Sequence, residues 1–459
     1  MEPAVQQLAE VFARTVANDR EVIKTAEEQL KSVSQQPGYG ITVLKVVAAG
    51  EALGMDVRLA AAVTFKNLVK YRWVPTEVAQ DAGALPVPDA EKEQIRQLLT
   101  GLMLSTPPLV RAQLSEALAI ISGHDFPMRW PGLLPELVAR LQTDDLGVVN
   151  GVAATANSIF KRYRNQYGSN DLVAELAASQ EVFAQPALDA LVATSKAVPA
   201  LAAAGRTEQL RTAVSTLRLL CRIFFSLNSP GLTPLMESQL DTWMGEFHGF
   251  LALADAPALA EKDPTQEAPL DGLKAAVCAN INLFMEIAEE EFAKFLQTFV
   301  TDVWHLLTSV SGRSGQDGLA MAATRFLTTV ARSVHHTLFA EAAVLKQICE
   351  SIVLPNLKVL PELQDPDVDA RPILKADALK FVTVFRSQLP PAAALALMPS
   401  LISLLRAEAY VVHSYAATAV ERFLALREAG GRPRLAAGEV APLARPLLEA
   451  LFAAFKHPE

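Results

Sequence analysis

The sequence is poor in cysteine, and the few cysteines it has are scattered. Three occur in 459 residues, at Cys221, Cys278 and Cys349, and none belongs to a CxxC pair. Structural zinc sites and redox pairs need closely spaced thiols, so the spacing argues against both. We interpret the three as buried free thiols of a protein from a reducing compartment.

Targeting and membrane-spanning segments are not recognisable either. The N-terminus reads MEPAVQQLAEVF, which lacks the basic and apolar regions of a secretory signal. Every long apolar run is interrupted by a charge or a proline within about 18 residues, too few for a transmembrane helix. We therefore expect no membrane insertion and a location in the cytoplasm or the nucleus.

The common catalytic motifs are absent from the sequence. It contains no GxxxxGK[ST] loop, no GxGxxG after a strand, no GxSxG and no HExxH. His335 and His336 are neighbours, but adjacent helical positions point about 100° apart and would not share a metal. The run Glu289–Glu291 is typical of a solvated helix face, and the Gly312–Gly318 cluster lacks the lysine of a phosphate site. We expect neither enzymatic activity nor a metal or other cofactor.

The overall charge disfavours a nucleic-acid partner. The chain carries 41 basic and 50 acidic side chains, a formal net charge of -9, whereas nucleic-acid binding needs a basic surplus. At the same time 51% of the residues are hydrophobic, which excludes a disordered chain. These numbers fit a large helical protein with protein partners.

Apolar residues recur with a helical period along the chain. Between Glu291 and Val310 they are spaced by 3, 4 and 7, at Phe292, Phe295, Leu296, Phe299, Val303, Leu306, Leu307 and Val310. Proline and glycine break the pattern at intervals of about 35 to 45 residues, enough for two antiparallel helices each. The pattern predicts an all-α, HEAT-repeat right-handed superhelix of about ten helix pairs; a single helical globule is the alternative.

Two proline-bearing acidic segments interrupt this pattern, Glu261–Leu270 and Leu363–Pro372. We interpret both as solvated linkers, with a docking site for a basic partner as the alternative.

One helical stretch combines basic and aromatic side chains. In AAVTFKNLVKYRW at 61–73, Lys66, Lys70 and Trp73 stand at i, i+4 and i+7 and so share one face. Such residues anchor protein interfaces, which indicates a partner-binding face. The simpler alternative is a repeat helix whose lysines point into water and whose tryptophan closes the end.

Several stretches resemble one known family. The segment at 61–73, HDFPMRWPGLLPELV at 124–138 and VVNGVAATANSIFKRYR at 148–164 are similar to elements of the importin-alpha re-exporters, a branch of the importin-beta superfamily. Further matches follow in the same order at 224–228, Trp243-Met244, 373–390 and 411–423.

The resemblance implies a function and a set of contact residues. Members of this family bind the GTPase Ran in its GTP form together with importin-alpha as cargo. They pass nuclear pore proteins at the nuclear envelope and release both partners in the cytoplasm. Carried over residue by residue, the likeness suggests Lys66, Asn67 and Lys70 as Ran contacts with Trp73 as support, while Trp130 is expected to be structural.

Arg162 is likewise expected to be structural, because basic side chains at the end of a helix complement its dipole.

The resemblance divides the chain into three groups of repeats. Residues 1–170 correspond to the Ran-binding region, 171–360 to central repeats and 361–459 to later repeats.

The chain also departs from the family pattern. After Asn356 it runs almost directly into the segment starting at Pro361, so a stretch that includes the family's acidic, Ran-contacting insertion is missing. It stops at Glu459, near the middle of the family's length. We expect a retained Ran surface and reduced cargo transport. An import receptor of the same superfamily and a HEAT scaffold without transport function are the alternatives; the FKRYR and KAD elements favour the exporter.

Overall fold

The computed structural model describes most of the chain, namely residues 2–74, 85–164, 170–261, 263–310, 314–339, 372–387, 389–428 and 431–454. Within these stretches the regular secondary structure is helical and no strand occurs. The predicted all-α fold is confirmed. Cys349, Gly312, the gap after Asn356 and most of the loop Leu363–Pro372 lie outside the described residues.

The chain divides into two compact units, Met1–Pro230 and Gly231–Glu459. The helices of the first unit are α1 (Pro3–Thr15), α2 (Arg20–Val33), α3 (Tyr39–Ala48), α4 (Met55–Arg72), α5 (Asp89–Ser105), α6 (Pro108–Asp125), α7 (Leu133–Leu141), α8 (Leu146–Phe160), α9 (Asn170–Ala203) and α10 (Thr207–Asn228). Those of the second are α11 (Pro234–Ser238), α12 (Leu240–Ala252), α13 (Pro269–Ile287), α14 (Glu289–Ser309), α15 (Asp317–Arg332), α16 (Pro372–Phe385), α17 (Pro391–Leu404), α18 (Tyr410–Leu424) and α19 (Ala437–Ala454).

Helices of the first unit stack in two layers. In one layer α4 packs on α6, α6 on α8 and α8 on α10, while α1, α3 and α5 follow one another in the second layer. Helices adjacent in sequence, such as α3 with α4 or α9 with α10, also contact each other. This is the arrangement of stacked helix pairs that the spacing of breaks predicts. The boundaries at residues 170 and 360 stay a prediction.

The second unit shows the same pairing, and its core confirms the predicted apolar stripe. Phe292 on α14 is fully buried, with its ring centroid 5.7 Å from Phe299, 6.4 Å from Phe284 on α13 and 6.3 Å from Phe326 on α15. Phe292 therefore packs against aromatic rings of its own helix and of both neighbouring helices, α13 and α15. Glu290 and Glu291, at the start of α14, are exposed beside the positive end of the helix dipole.

Two of the cysteines lie in the described cores. Cys221 on α10 and Cys278 on α13 are buried, and neither forms a disulfide bond with another described residue. Burial raises the pKa of both thiols, that of Cys278 to about 12, so both are protonated and unreactive at neutral pH. No described helix is long and apolar enough to cross a membrane.

A glycine allows close packing between α5 and α8. A Cβ atom on Gly151 would lie 3.1 Å from the Leu104 Cα and 3.3 Å from the Met103 carbonyl oxygen. Because these atoms belong to backbone, no rotamer change can remove the conflict. Glycine at this position lets the two helix backbones touch.

Candidate functional site

Helix α4 carries the predicted contact residues. Its inner side buries Phe65 and Val69 completely, and the helix packs against α3 and α6. Asn67, Lys70 and Tyr71 are exposed on its outer side. We call the face formed by Lys66, Asn67, Lys70 and Tyr71 the α4 surface.

The two lysines of the α4 surface differ in their surroundings. The Lys66 side chain is 23% exposed, and its Nζ lies 3.4 Å from Oε2 of Glu116 on α6. Lys70 is exposed and forms no ion pair with another described residue; its Nζ stands 5.3 Å from the centroid of the Tyr71 ring. Lys66 is therefore tied to the neighbouring helix, whereas the charge of Lys70 faces solvent.

Trp73 lies beneath this surface instead of on it. It is 1% exposed, its Nε1 donates to Oδ2 of Asp125 at 3.2 Å, and Nζ of Lys92 stands 5.6 Å from its ring centroid. A large indole gains most by burial, provided that its N–H finds an acceptor. In this structure Trp73 offers no surface to a partner and can act only by supporting α4.

A buried charge network surrounds that tryptophan. Asp125, at the end of α6 and 1% exposed, also accepts a hydrogen bond from Nη1 of Arg96 at 2.7 Å. Nη2 of the same arginine pairs with Oε2 of Glu93 at 2.6 Å. Burial of an aspartate is costly, and the two donors that converge on Asp125 offset that cost.

Polar groups also hold the C-terminal end of α4. Arg72 donates from Nη1 to the Ser34 carbonyl oxygen at 2.6 Å and from Nε to the Leu85 carbonyl oxygen. Burial lowers the pKa of this arginine. Beside it, burial raises the pKa of Tyr39 to about 12. The α4 surface thus rests on buried polar and charged side chains from several helices.

Sequence reasoning missed two participants. Tyr71 is 43% exposed and stands at i+4 from Asn67, a spacing that the sequence already displays. Glu116 lies fifty residues beyond Lys66, and no local pattern links the two.

The residues that we expected to be structural are indeed packed. Trp130 is 8% exposed. Arg162 pairs with Glu175 and donates from Nη1 to the Ser122 carbonyl oxygen at 3.1 Å. Both therefore lie within the repeats.

Two family models match the chain. The importin-beta N-terminal domain matches residues 26–105, which include α4. The Cse1 family matches residues 159–359 and 357–420. The two Cse1 matches meet at residues 357–359, in agreement with the internal gap expected after Asn356.

Curated relatives match the chain over almost its whole length. Exportin-2 of Oreochromis niloticus is 30% identical over 566 aligned residues, covering 99% of this chain and 57% of its own length. Exportin-2 of Drosophila melanogaster is 30% identical over 569, covering 100% and 58%. The alignments are longer than the 459 residues of the chain, so the relatives carry residues opposite gaps in it.

A solved structure agrees in fold. The exportin Cse1 in its cargo-free, cytoplasmic state superposes with a TM-score of 0.73 at 25% identity, covering 97% of this chain and 58% of that one. The chain therefore spans less than three fifths of the length of these relatives.

Proposed function

This chain belongs to the Cse1 family of exportins, and we propose that it is a nuclear export receptor that binds Ran-GTP through the α4 surface. Its cargo is importin-alpha, which it returns from the nucleus to the cytoplasm past nuclear pore proteins at the nuclear envelope. It works by binding and release and not as an enzyme.

The α4 surface is the observation that carries this proposal. It lies inside the matched importin-beta N-terminal domain, and it presents an ammonium, an amide and a phenol ring close together. Such a combination supplies charge complementarity, hydrogen bonding and apolar contact at one place. The buried groups beneath α4 hold the helix that carries these side chains in place before a partner arrives, which lowers the entropy lost on binding.

Transport requires that the two partners reinforce each other. Ran-GTP and cargo must favour the same conformation of the receptor, since otherwise one cannot promote binding of the other. The internal gap falls where, by family resemblance, an acidic Ran-contacting insertion is expected. We propose that the chain keeps Ran binding but couples it to cargo less strongly than its longer relatives do.

A pull-down with the complete chain tests the proposal. Immobilised Ran locked with a GTP analogue should retain the chain, Ran-GDP should not, and added importin-alpha should increase retention only with the GTP form. Retention that ignores the nucleotide, or no retention at all, would contradict the proposal. If Ran-GTP retained the chain but added importin-alpha did not change the retention, the function would be limited to Ran binding.

A further inference from the structure

A groove of about 660 Å³ opens elsewhere in the first unit. Its walls are the loop between α7 and α8 with the first turn of α8, the C-terminal half of α9 and the first turns of α10, within residues 141–212. Its volume is in the range of protein binding pockets, about 300 to 1,000 Å³. None of its lining residues belongs to the α4 surface.

Small side chains on α9 make room for the groove. Ala190, Ala193 and Ala197 line it and are spaced by three, four and seven, so they share one helix face. Larger apolar side chains also line it, among them Leu146 and Leu201. A bulky apolar side chain of a ligand can therefore lie on an alanine floor without displacing any core residue. We call this site the alanine groove.

A threonine of α9 also lines the alanine groove. Thr194 is 3% exposed, and its hydroxyl forms no hydrogen bond with any described residue. Other helical threonines of this unit behave differently: the Thr155 hydroxyl donates to the Gly151 carbonyl oxygen at 2.8 Å, and that of Thr212 to Glu208 at 2.9 Å. Because Thr194 lines the groove and its hydroxyl has no partner among the described residues, that hydroxyl can bond a polar atom of a ligand there.

Carboxylates dominate the rim of the groove. Asp144, Asp145 and Glu208 are exposed there, and Arg206 is the one cationic side chain among the lining residues. Nη1 of Arg206 lies 3.3 Å from Oε1 of Gln209. The carboxylate of Asp144 pairs with no other described side chain, so the rim carries a surplus of negative charge.

We infer that the alanine groove is a docking site for a cationic peptide segment of a partner protein. A bulky aliphatic side chain of the peptide lies over Ala193 and Ala197, and flanking lysines or arginines meet Asp144 and Glu208. A main-chain group of the peptide bonds the Thr194 hydroxyl. Carboxylates on two separate elements suit several cations along one chain better than a compact ligand with a single charge.

Fluorescence anisotropy with labelled peptides tests this site on the complete chain. The probe contains two leucines between pairs of lysines in a glycine-serine context. One comparison peptide has glutamates in place of the lysines, and another has glycines in place of the leucines. The lysine–leucine probe should bind at least about tenfold more tightly than either comparison peptide, since each lacks one of the two required features.

Matched variants assign the binding to the groove. Ala193→Phe fills the floor from an exposed position and should weaken the probe about tenfold to a hundredfold, as expected for exclusion of one apolar anchor. Ala177→Phe, on an exposed position of α9 that lies on the opposite face and does not line the groove, is the control and should bind normally. Thr194→Val should weaken binding about threefold to tenfold without altering its salt dependence.

Charge reversal at the rim completes the test. Asp144→Lys with Glu208→Lys should weaken the probe and flatten its dependence on salt, while the helical circular-dichroism signal remains. No binding by the unaltered chain, or equal loss in Ala193→Phe and Ala177→Phe, would overturn the docking site. Tight binding of the glycine comparison peptide would also overturn it, because charge alone would then account for the affinity.

Discussion

The α4 surface and the alanine groove lie in the same unit but rest on different supports. Behind the α4 surface lie buried ionised and polar groups, centred on Asp125 and Arg96. The groove is lined by alanines, with the hydroxyl of Thr194 beside them. A surface supported by buried charges is held in one geometry. Its stability is lost, however, when one member of a buried ion pair is removed. A surface lined by alanines leaves space for a ligand.

The largest expected effect comes from removal of the buried carboxylate. Asp125→Ala leaves the Arg96 guanidinium without its buried partner and should lower the free energy of unfolding by about 3 to 5 kcal/mol. Urea denaturation measures the loss, and hydrogen exchange should rise most in α4, α5 and α6. Asp125→Asn keeps an acceptor for Trp73 and should lose less. If both variants were as stable as the unaltered chain, the support assigned to Asp125 would be wrong.

High pH should weaken the same region through Tyr39. Burial raises its pKa to about 12, against about 10 in an unfolded chain. The folded state keeps the phenol proton longer, so this contribution is intact below pH 10 and is lost as the pH rises from about 10 to about 12. A shift of this size is worth about 2 to 3 kcal/mol.

Tyr39→Phe provides the matched comparison, because it removes the titrating group and retains the ring. Urea denaturation at several pH values should show a smaller loss of stability in this variant between pH 10 and 12. Parallel curves for the variant and the unaltered chain would show that Tyr39 does not titrate as its burial requires.

Charge reversal on the α4 surface should affect binding and leave folding intact. Lys66→Glu with Lys70→Glu should weaken Ran-GTP binding at least about tenfold at low salt, since each of the two charges contributes modestly. Lys24→Glu with Lys31→Glu, two exposed positions on α2, carries the same change in net charge away from the site. Surface plasmon resonance measures both, and equal losses would refute the choice of contact residues.

The smallest expected change separates support from contact. Trp73→Phe removes the hydrogen bond to Asp125 and should cost about 1 kcal/mol of stability. Ran-GTP affinity, measured well below the melting temperature, should stay within about twofold of the unaltered chain because Trp73 is buried. A large loss of affinity without a loss of stability would instead make Trp73 a direct contact.

The sequence predicts features that repeat locally and misses those that join distant residues. The stripe around Phe292 is visible because helical periodicity alone places it on one side of α14. The position of Lys66, Lys70 and Trp73 on α4 follows in the same way. The difference in their burial cannot be predicted in this way. It depends on Glu116, fifty residues beyond Lys66, and on Asp125, fifty-two residues beyond Trp73.

The alanine groove was beyond sequence reasoning for the same reason. Three separate segments form it. In the sequence, Ala193 and Ala197 cannot be told apart from other alanines of a helix. Thr194 gives no signal either, because a helical threonine usually bonds the carbonyl of its own preceding turn.

The contact at Gly151 has a consequence for how a stacked repeat transmits change. At the contact between α8 and α5, the two helices can approach this closely only because Gly151 has no side chain. Gly151→Ala would push α8 outward by a few tenths of an ångström, and α10, which packs on α8, would inherit the displacement. The first turns of α8 and α10 form part of the alanine groove. A single methyl group at the α5 contact would therefore alter the width of a binding site formed by other residues.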